Sequence, residues 1–135
     1  MTGGHRRTLL ALATGLMLGA GCGEGASPEP IPATLSAIED RIFTPNCTFS
    51  SCHGASAQQG LSLTGRTHGA LVGVAAGEAP SMVRVAAGDP AGSYLLHKIE
   101  DAMPTSGVRM PPDQPLPASK IDAIRAWIAA GAQDD

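Results

Sequence analysis

Two thiols and an imidazole fall within seven residues in Cys47-Thr48-Phe49-Ser50-Ser51-Cys52-His53, and the one remaining cysteine of the chain is Cys22. Several chemistries are open to such a cluster. The thiols can close a disulfide around a small loop in an oxidising compartment, which leaves His53 as a surface residue. They can ligate zinc together with His53 and a fourth donor such as His68 or His97. Consecutive Cys-His ligands strain a tetrahedral site, however, and zinc pairs usually stand about two to four residues apart with a second pair elsewhere. A third use is to fix a metal-bearing prosthetic group through both sulfurs while the adjacent imidazole reaches its metal.

Further sulfur donors lie in the segment from Glu100 to Pro117, which holds five prolines and both Met103 and Met110. Met110 precedes Pro111 and Pro112, so its own backbone is pushed to extended geometry and the next two residues have fixed φ. A stiffened loop lowers the entropy cost of holding a flexible thioether at a metal. Met103 precedes only Pro104. Long ordered loops in compact domains are usually functional, and Met110 is the preferred donor over Met103, His97 and His68.

The elements that must position these residues are expected to be helices. Leu35, Ile38 and Ile42 recur at helical spacing over Thr34 to Thr44, Thr34 or Ser36 can cap the start, and Pro45 is expected to end the helix just before the thiols. Gly54 to Gly65 reads as an open loop able to pass close to a ligand. Thr67 to Val74 is expected to form a short helix, whereas Met82-Val83-Arg84-Val85 can be extended. Asp89-Pro90 has the form of an N-cap followed by proline at the first helical position, and predicts a helix to about Ile99. The last helix is expected over Ser119 to Ala130. Ile121, Ile124, Trp127 and Ile128 share one face there, and Gly131 stands beyond the end.

The N-terminus has the pattern of an export signal, with Arg6 and Arg7 before an uncharged run from Thr8 to Ala20. The run is shorter than the roughly 20 apolar residues of a comfortable span and ends in small residues. Leu18-Gly19-Ala20-Gly21-Cys22 resembles a bacterial lipoprotein cleavage box, which implies cleavage before Cys22 and lipidation of its thiol. Gly23 to Ala33 is rich in Gly, Pro, Glu and Ser and serves as a tether, reaching at most roughly 3.3 to 3.6 Å per residue. The expected organisation is thus a signal peptide over 1–21, a tether over 22–33 and a domain over 34–135.

Composition bounds that domain. Two Phe, one Tyr and one Trp stand against 17 Gly and 11 Pro, so a core of Ala, Leu, Val and Ile on so short a chain is marginal by itself. A large planar ligand bound only by the folded form would supply apolar bulk and stability. Loss of Arg6 and Arg7 with the leader moves the formal charge from −3 to −5. An acidic domain disfavours nucleic acid and suits partners with a basic face.

Taken together, Cys47, Cys52 and His53 after a first helix, Met110-Pro111-Pro112 in a loop, and Ile121 to Ala132 as a last helix resemble a small bacterial class I-type cytochrome c domain. The attachment motif departs from the usual C-x-x-C-H by having four residues between the cysteines, a spacing similar to a rarer variant. The resemblance implies an all-α fold with long loops around one haem c. It also implies thioethers from Cys47 and Cys52, and iron ligated by His53 and Met110. Arg84 and Arg109 are candidates to pair with the haem propionates. The function implied is electron transfer without substrate chemistry, by a carrier lipid-anchored to the membrane through Cys22 and facing the periplasm or exterior. The alternative is a haem-free envelope lipoprotein, stapled by a Cys47–Cys52 disulfide, that acts as a binding or structural module.

Overall fold

The computed structural model describes residues 1–2, 29–101 and 106–135. Residues 3–21 of the expected signal peptide, Cys22, most of the expected tether and Met103 lie outside the described residues. No helix among the described residues is long and apolar enough to cross a membrane.

The chain enters its fold at Thr34, whose extended backbone and side-chain oxygen cap α1 (Leu35–Ile38), the hydroxyl accepting from the Ala37 amide at 3.4 Å. Helical backbone continues without a break through a π-helical turn (Glu39–Phe43) into α2 (Thr44–Asn46). Pro45 therefore does not end the helix as expected. It has no amide to donate, and the ladder widens before it, the Thr44 amide reaching back to the Glu39 carbonyl. Asn46 then donates from Nδ2 to the Ile42 carbonyl at 2.6 Å, and the Cys47 amide donates to the Phe43 carbonyl at 2.7 Å. The effect is to carry helical order up to Cys47.

Beyond the motif loop come α3 (Thr67–Leu71) and an antiparallel hairpin, β1 (Ala75–Ala76) with β2 (Ala79–Val83). Ala75 pairs with Val83 and Ala76 with Ala79, with a register shift between them. Single bridges Val72–Val85, Val83–Ser93 and Ala86–Asp89 extend this ribbon-like region. It overturns the all-α expectation: the described residues form a small mixed α/β fold of short helices and one two-stranded sheet. A two-residue alanine strand has no alternating pattern to betray it, and its pairing rests on backbone groups that every sequence carries.

The Asp89-Pro90 signal was expected to start a helix and instead makes a turn. Asp89 Oδ1 accepts from the Gly92 amide at 3.0 Å, and the Ser93 amide donates to the Pro90 carbonyl. Ser93 Oγ accepts from the Ala86 amide and donates to the Asp89 carbonyl, closing the turn onto the ribbon. Only then does α4 (Tyr94–Glu100) begin. The last helix, α5 (Ala118–Ala129), follows the proline-rich segment and ends where Gly131 takes φ +104. The Ala132 amide closes back on the Trp127 carbonyl at 2.9 Å.

Trp127, Phe43, Ile38, Ile42, Ile124 and Ile128 are almost fully buried where the first helical run meets α5, and Leu71, Val85 and Leu96 join the same core. Asp135 ties the two ends of the domain: its Oδ1 accepts from the Leu35 amide at 2.8 Å and its carbonyl from Ser36 at 2.9 Å. Phe43, Leu71 and Ile124 of this core also form one wall of a cleft.

Candidate functional site

One cleft runs between the motif loop, the hairpin turn, α4 and the segment before α5. It is open to solvent, with about 820 Å³ of space between its walls and mouth. Phe43, Leu63, Leu71, Ile99, Leu116 and Ile124 supply apolar wall. Cys47 and His53 of the motif loop and Met110 of the proline-rich segment reach the same cleft.

The motif loop is shaped by its own backbone. The His53 amide donates to the Cys47 carbonyl at 3.1 Å, and the Cys52 amide to the Phe49 carbonyl at 2.8 Å. The four residues between the cysteines therefore curl into turns, and the longer gap is taken up without disturbing the helix before it. Gly54 is buried, and a Cβ there would lie 2.4 Å from the Thr48 carbonyl oxygen and 3.0 Å from that of Phe49. Only glycine permits this close approach of the loop to itself.

His53 is held at two levels. Its carbonyl accepts from the Leu63 amide at 2.8 Å, and its ring Nδ1 lies 3.1 Å from the Leu61 carbonyl oxygen. A carbonyl only accepts, so the proton of the neutral ring sits on Nδ1 and the lone pair on Nε2. That is the tautomer a metal-binding imidazole needs, with its second nitrogen oriented by a backbone oxygen.

Cys47 and Cys52 are both free thiols, and Cys47 packs against the hydrophobic core. Burial pushes its thiol up to about 11 against an ordinary 9.0, more than the nearby Lys120 charge lowers it. Cys52 is half-buried on the same loop, with Sγ 3.7 Å from Ser51 Oγ, and is not part of the cleft wall. Three of the four expected cofactor-binding residues therefore meet in the cleft, and the fourth stands beside it. Cys22, the expected lipidation site, and Met103, the alternative sulfur donor, fall outside the described residues.

The other candidates are engaged elsewhere. His97 Nε2 lies 2.7 Å from the Ala91 carbonyl and His68 Nε2 lies 2.9 Å from that of Ala132, and neither residue lines the cleft. Arg84 does line it, with its guanidinium donating to the carbonyls of Ala70 and Gln59 at 2.9 and 3.2 Å. Arg109 does not, although its Nε is buried without a partner among the described residues. No group of three or more His, Cys, Asp or Glu side chains among the described residues is arranged to hold a metal ion by itself.

Sequence reasoning missed a polar cluster on the cleft wall. Tyr94 Oη donates to Glu78 Oε2 at 3.0 Å, and Lys98 Nζ pairs with the same oxygen at 2.7 Å. Burial raises the Glu78 carboxyl, but the hydrogen bonds from Lys98 and Tyr94 and the positive charge of Lys98 outweigh it, so the group is held below its ordinary value. Burial, then the hydrogen bond to Glu78 and its charge, push the Tyr94 hydroxyl up. Tyr94 and Lys98 stand at i and i+4 on α4, so one helix face carries both. That spacing was the available signal.

The donor set suits a haem joined through thioethers: thiols on one loop, an imidazole with a free nitrogen, a thioether sulfur and an apolar wall. No protein-family model, curated protein or solved structure matches the chain.

Proposed function

We propose that the chain is a single-haem c-type electron carrier, exported and tethered through Cys22 to a bacterial membrane, facing the periplasm or exterior. The observation that carries the reading is His53. Its Nδ1 is committed to the Leu61 carbonyl, which leaves the lone pair on its other nitrogen, and the residue lines a cleft together with Cys47 and Met110. When bound, the haem iron supplies one-electron redox chemistry, which no side chain of this cleft offers.

The protein's own residues have other tasks. Cys47 and Cys52 are the attachment thiols, and His53 and Met110 are the iron ligands on this reading. Imidazole with thioether ligation raises the reduction potential relative to two imidazoles. Phe43, Leu63, Leu71 and Ile124 exclude water and lower the local dielectric, which favours the less charged oxidation state. Arg84 places positive charge on the wall where carboxylate substituents of the cofactor can pair. The acidic domain favours redox partners with a basic docking face and disfavours nucleic acid.

Visible absorption of the purified chain, produced in a host that attaches haem after export, is the test. A haem spectrum that stays with the polypeptide through denaturing electrophoresis is the expected result. Absence of haem together with a Cys47–Cys52 disulfide would overturn the proposal in favour of a stapled envelope module. Met110→Ala is expected to abolish the sulfur-to-iron absorption band. Its persistence would transfer the ligand role to Met103.

A further inference from the structure

Lys98 is 8 % exposed, and a buried ammonium is stable only where it is paired and hydrogen-bonded. Its Nζ pairs with Glu78 Oε2 at 2.7 Å, on the hairpin turn just before β2, and donates to the carbonyl of Ser106. Its own main-chain carbonyl accepts from the Met110 amide at 2.9 Å. Gly107 lies against the same pair: a Cβ built there would stand 3.6 Å from Lys98 Nζ and 3.7 Å from Glu78 Oε1. Segment 106–110 is therefore fastened at its beginning by the Lys98 side chain and at its end by the Lys98 backbone.

We propose that Lys98 is the positioning residue for the sulfur of Met110, fixing the stretch that carries the thioether into the cleft to α4 and, through Glu78, to the hairpin turn. The inference rests on the electron-carrier reading, in which Met110 is an iron ligand. Lys98 itself does not bind iron. A flexible methionine side chain reaches a fixed point reproducibly only when its backbone is already placed, and an ammonium gripping two elements at once supplies that placement. An apolar helix residue would fill the same volume but leave the Ser106 carbonyl and the Glu78 carboxylate without this donor.

The test uses the full-length chain as isolated, wild type and variants, with two readings. The first is amide hydrogen exchange at Met110, whose amide is bonded to the Lys98 carbonyl; the second is the sulfur-to-iron absorption band. Lys98→Met is expected to speed exchange at the Met110 amide by at least about tenfold and to weaken or abolish the band, while exchange in α5 stays at its wild-type rate. Lys98→Arg, which keeps a charged donor, is expected to restore most of both signals. Wild-type exchange and an undiminished band in Lys98→Met would overturn the proposal. Should Lys98→Met not fold, Glu78→Gln, which removes the counter-charge of the ammonium, is read in the same two ways, and unchanged exchange there overturns it equally. A wild-type chain that never carries haem sinks the electron-carrier reading, whereas the exchange arm still decides whether Lys98 fastens the segment.

Discussion

At the scale of single residues, the chemistry rests on what each donor atom is already doing. The sequence alone points to His53 as a candidate ligand because it follows Cys52 directly. Its orienting partner, the Leu61 carbonyl, was not legible there, because backbone acceptors carry no residue-type mark. Cys47 illustrates what burial adds. With its thiol pushed up to about 11 from 9.0, its thiolate population between pH 7 and pH 8 falls about 100-fold relative to the unfolded chain. Iodoacetamide alkylation of chain whose thiols are not engaged by haem should therefore label Cys47 about 100-fold more slowly in native buffer than in denaturant. The gap should close as pH approaches 11. The same shift has a sign for stability. The unfolded chain loses the Cys47 proton first, so the contribution of the neutral buried thiol is complete below pH 9.0 and disappears as pH rises to about 11. Urea midpoints measured across that window should decline, and less so in Cys47→Ala.

At the scale of elements, the two ends of the domain were the most readable and its middle the least. Apolar spacing in α5, with Gly131 after it, marked the last helix to within a residue at each end. Between residues 72 and 93 the chain makes a hairpin, three isolated bridges and an Asp turn, all built from backbone pairing and small side chains with no periodic signature. Gly54 decides the shape of the motif loop. In Gly54→Ala the new methyl meets two carbonyl oxygens rather than a flexible side chain, so the loop itself must shift. A loss of about 1–3 kcal/mol in denaturant unfolding is expected, together with reduced haem attachment. Glu78 acts between elements, receiving Tyr94 and Lys98 of α4 at the hairpin turn. Its carboxyl is held below the ordinary 4.5, so its contribution is present above that value and is lost as pH falls through the lower folded one. The urea midpoint of the wild type should drop more steeply from about pH 6 to about pH 3 than that of Glu78→Gln.

At the scale of the whole molecule, a chain with one tryptophan has concentrated much of its packing at one crossing. Trp127 is 1 % exposed, packs with the core at α5 and donates from Nε1 to the Gln133 carbonyl at 2.9 Å. Trp127→Ala is expected to cost about 3–5 kcal/mol in chemical denaturation, enough to unfold a small domain of marginal stability. Haem-loaded protein should tolerate the change better than protein without haem, because a ligand held only by the folded form shifts the balance toward it. The bonds from Leu35 and Ser36 to Asp135 bring the start of the first helix and the last residue of the chain to the same spot. Sequence leading into residue 34 and any sequence fused after residue 135 would therefore leave from neighbouring points, so the unit can sit as a cassette within a loop of a host protein. The same closeness makes it a natural subject for circular permutation, its present ends joined by a short linker and new ones cut in an exposed turn, with the cleft untouched.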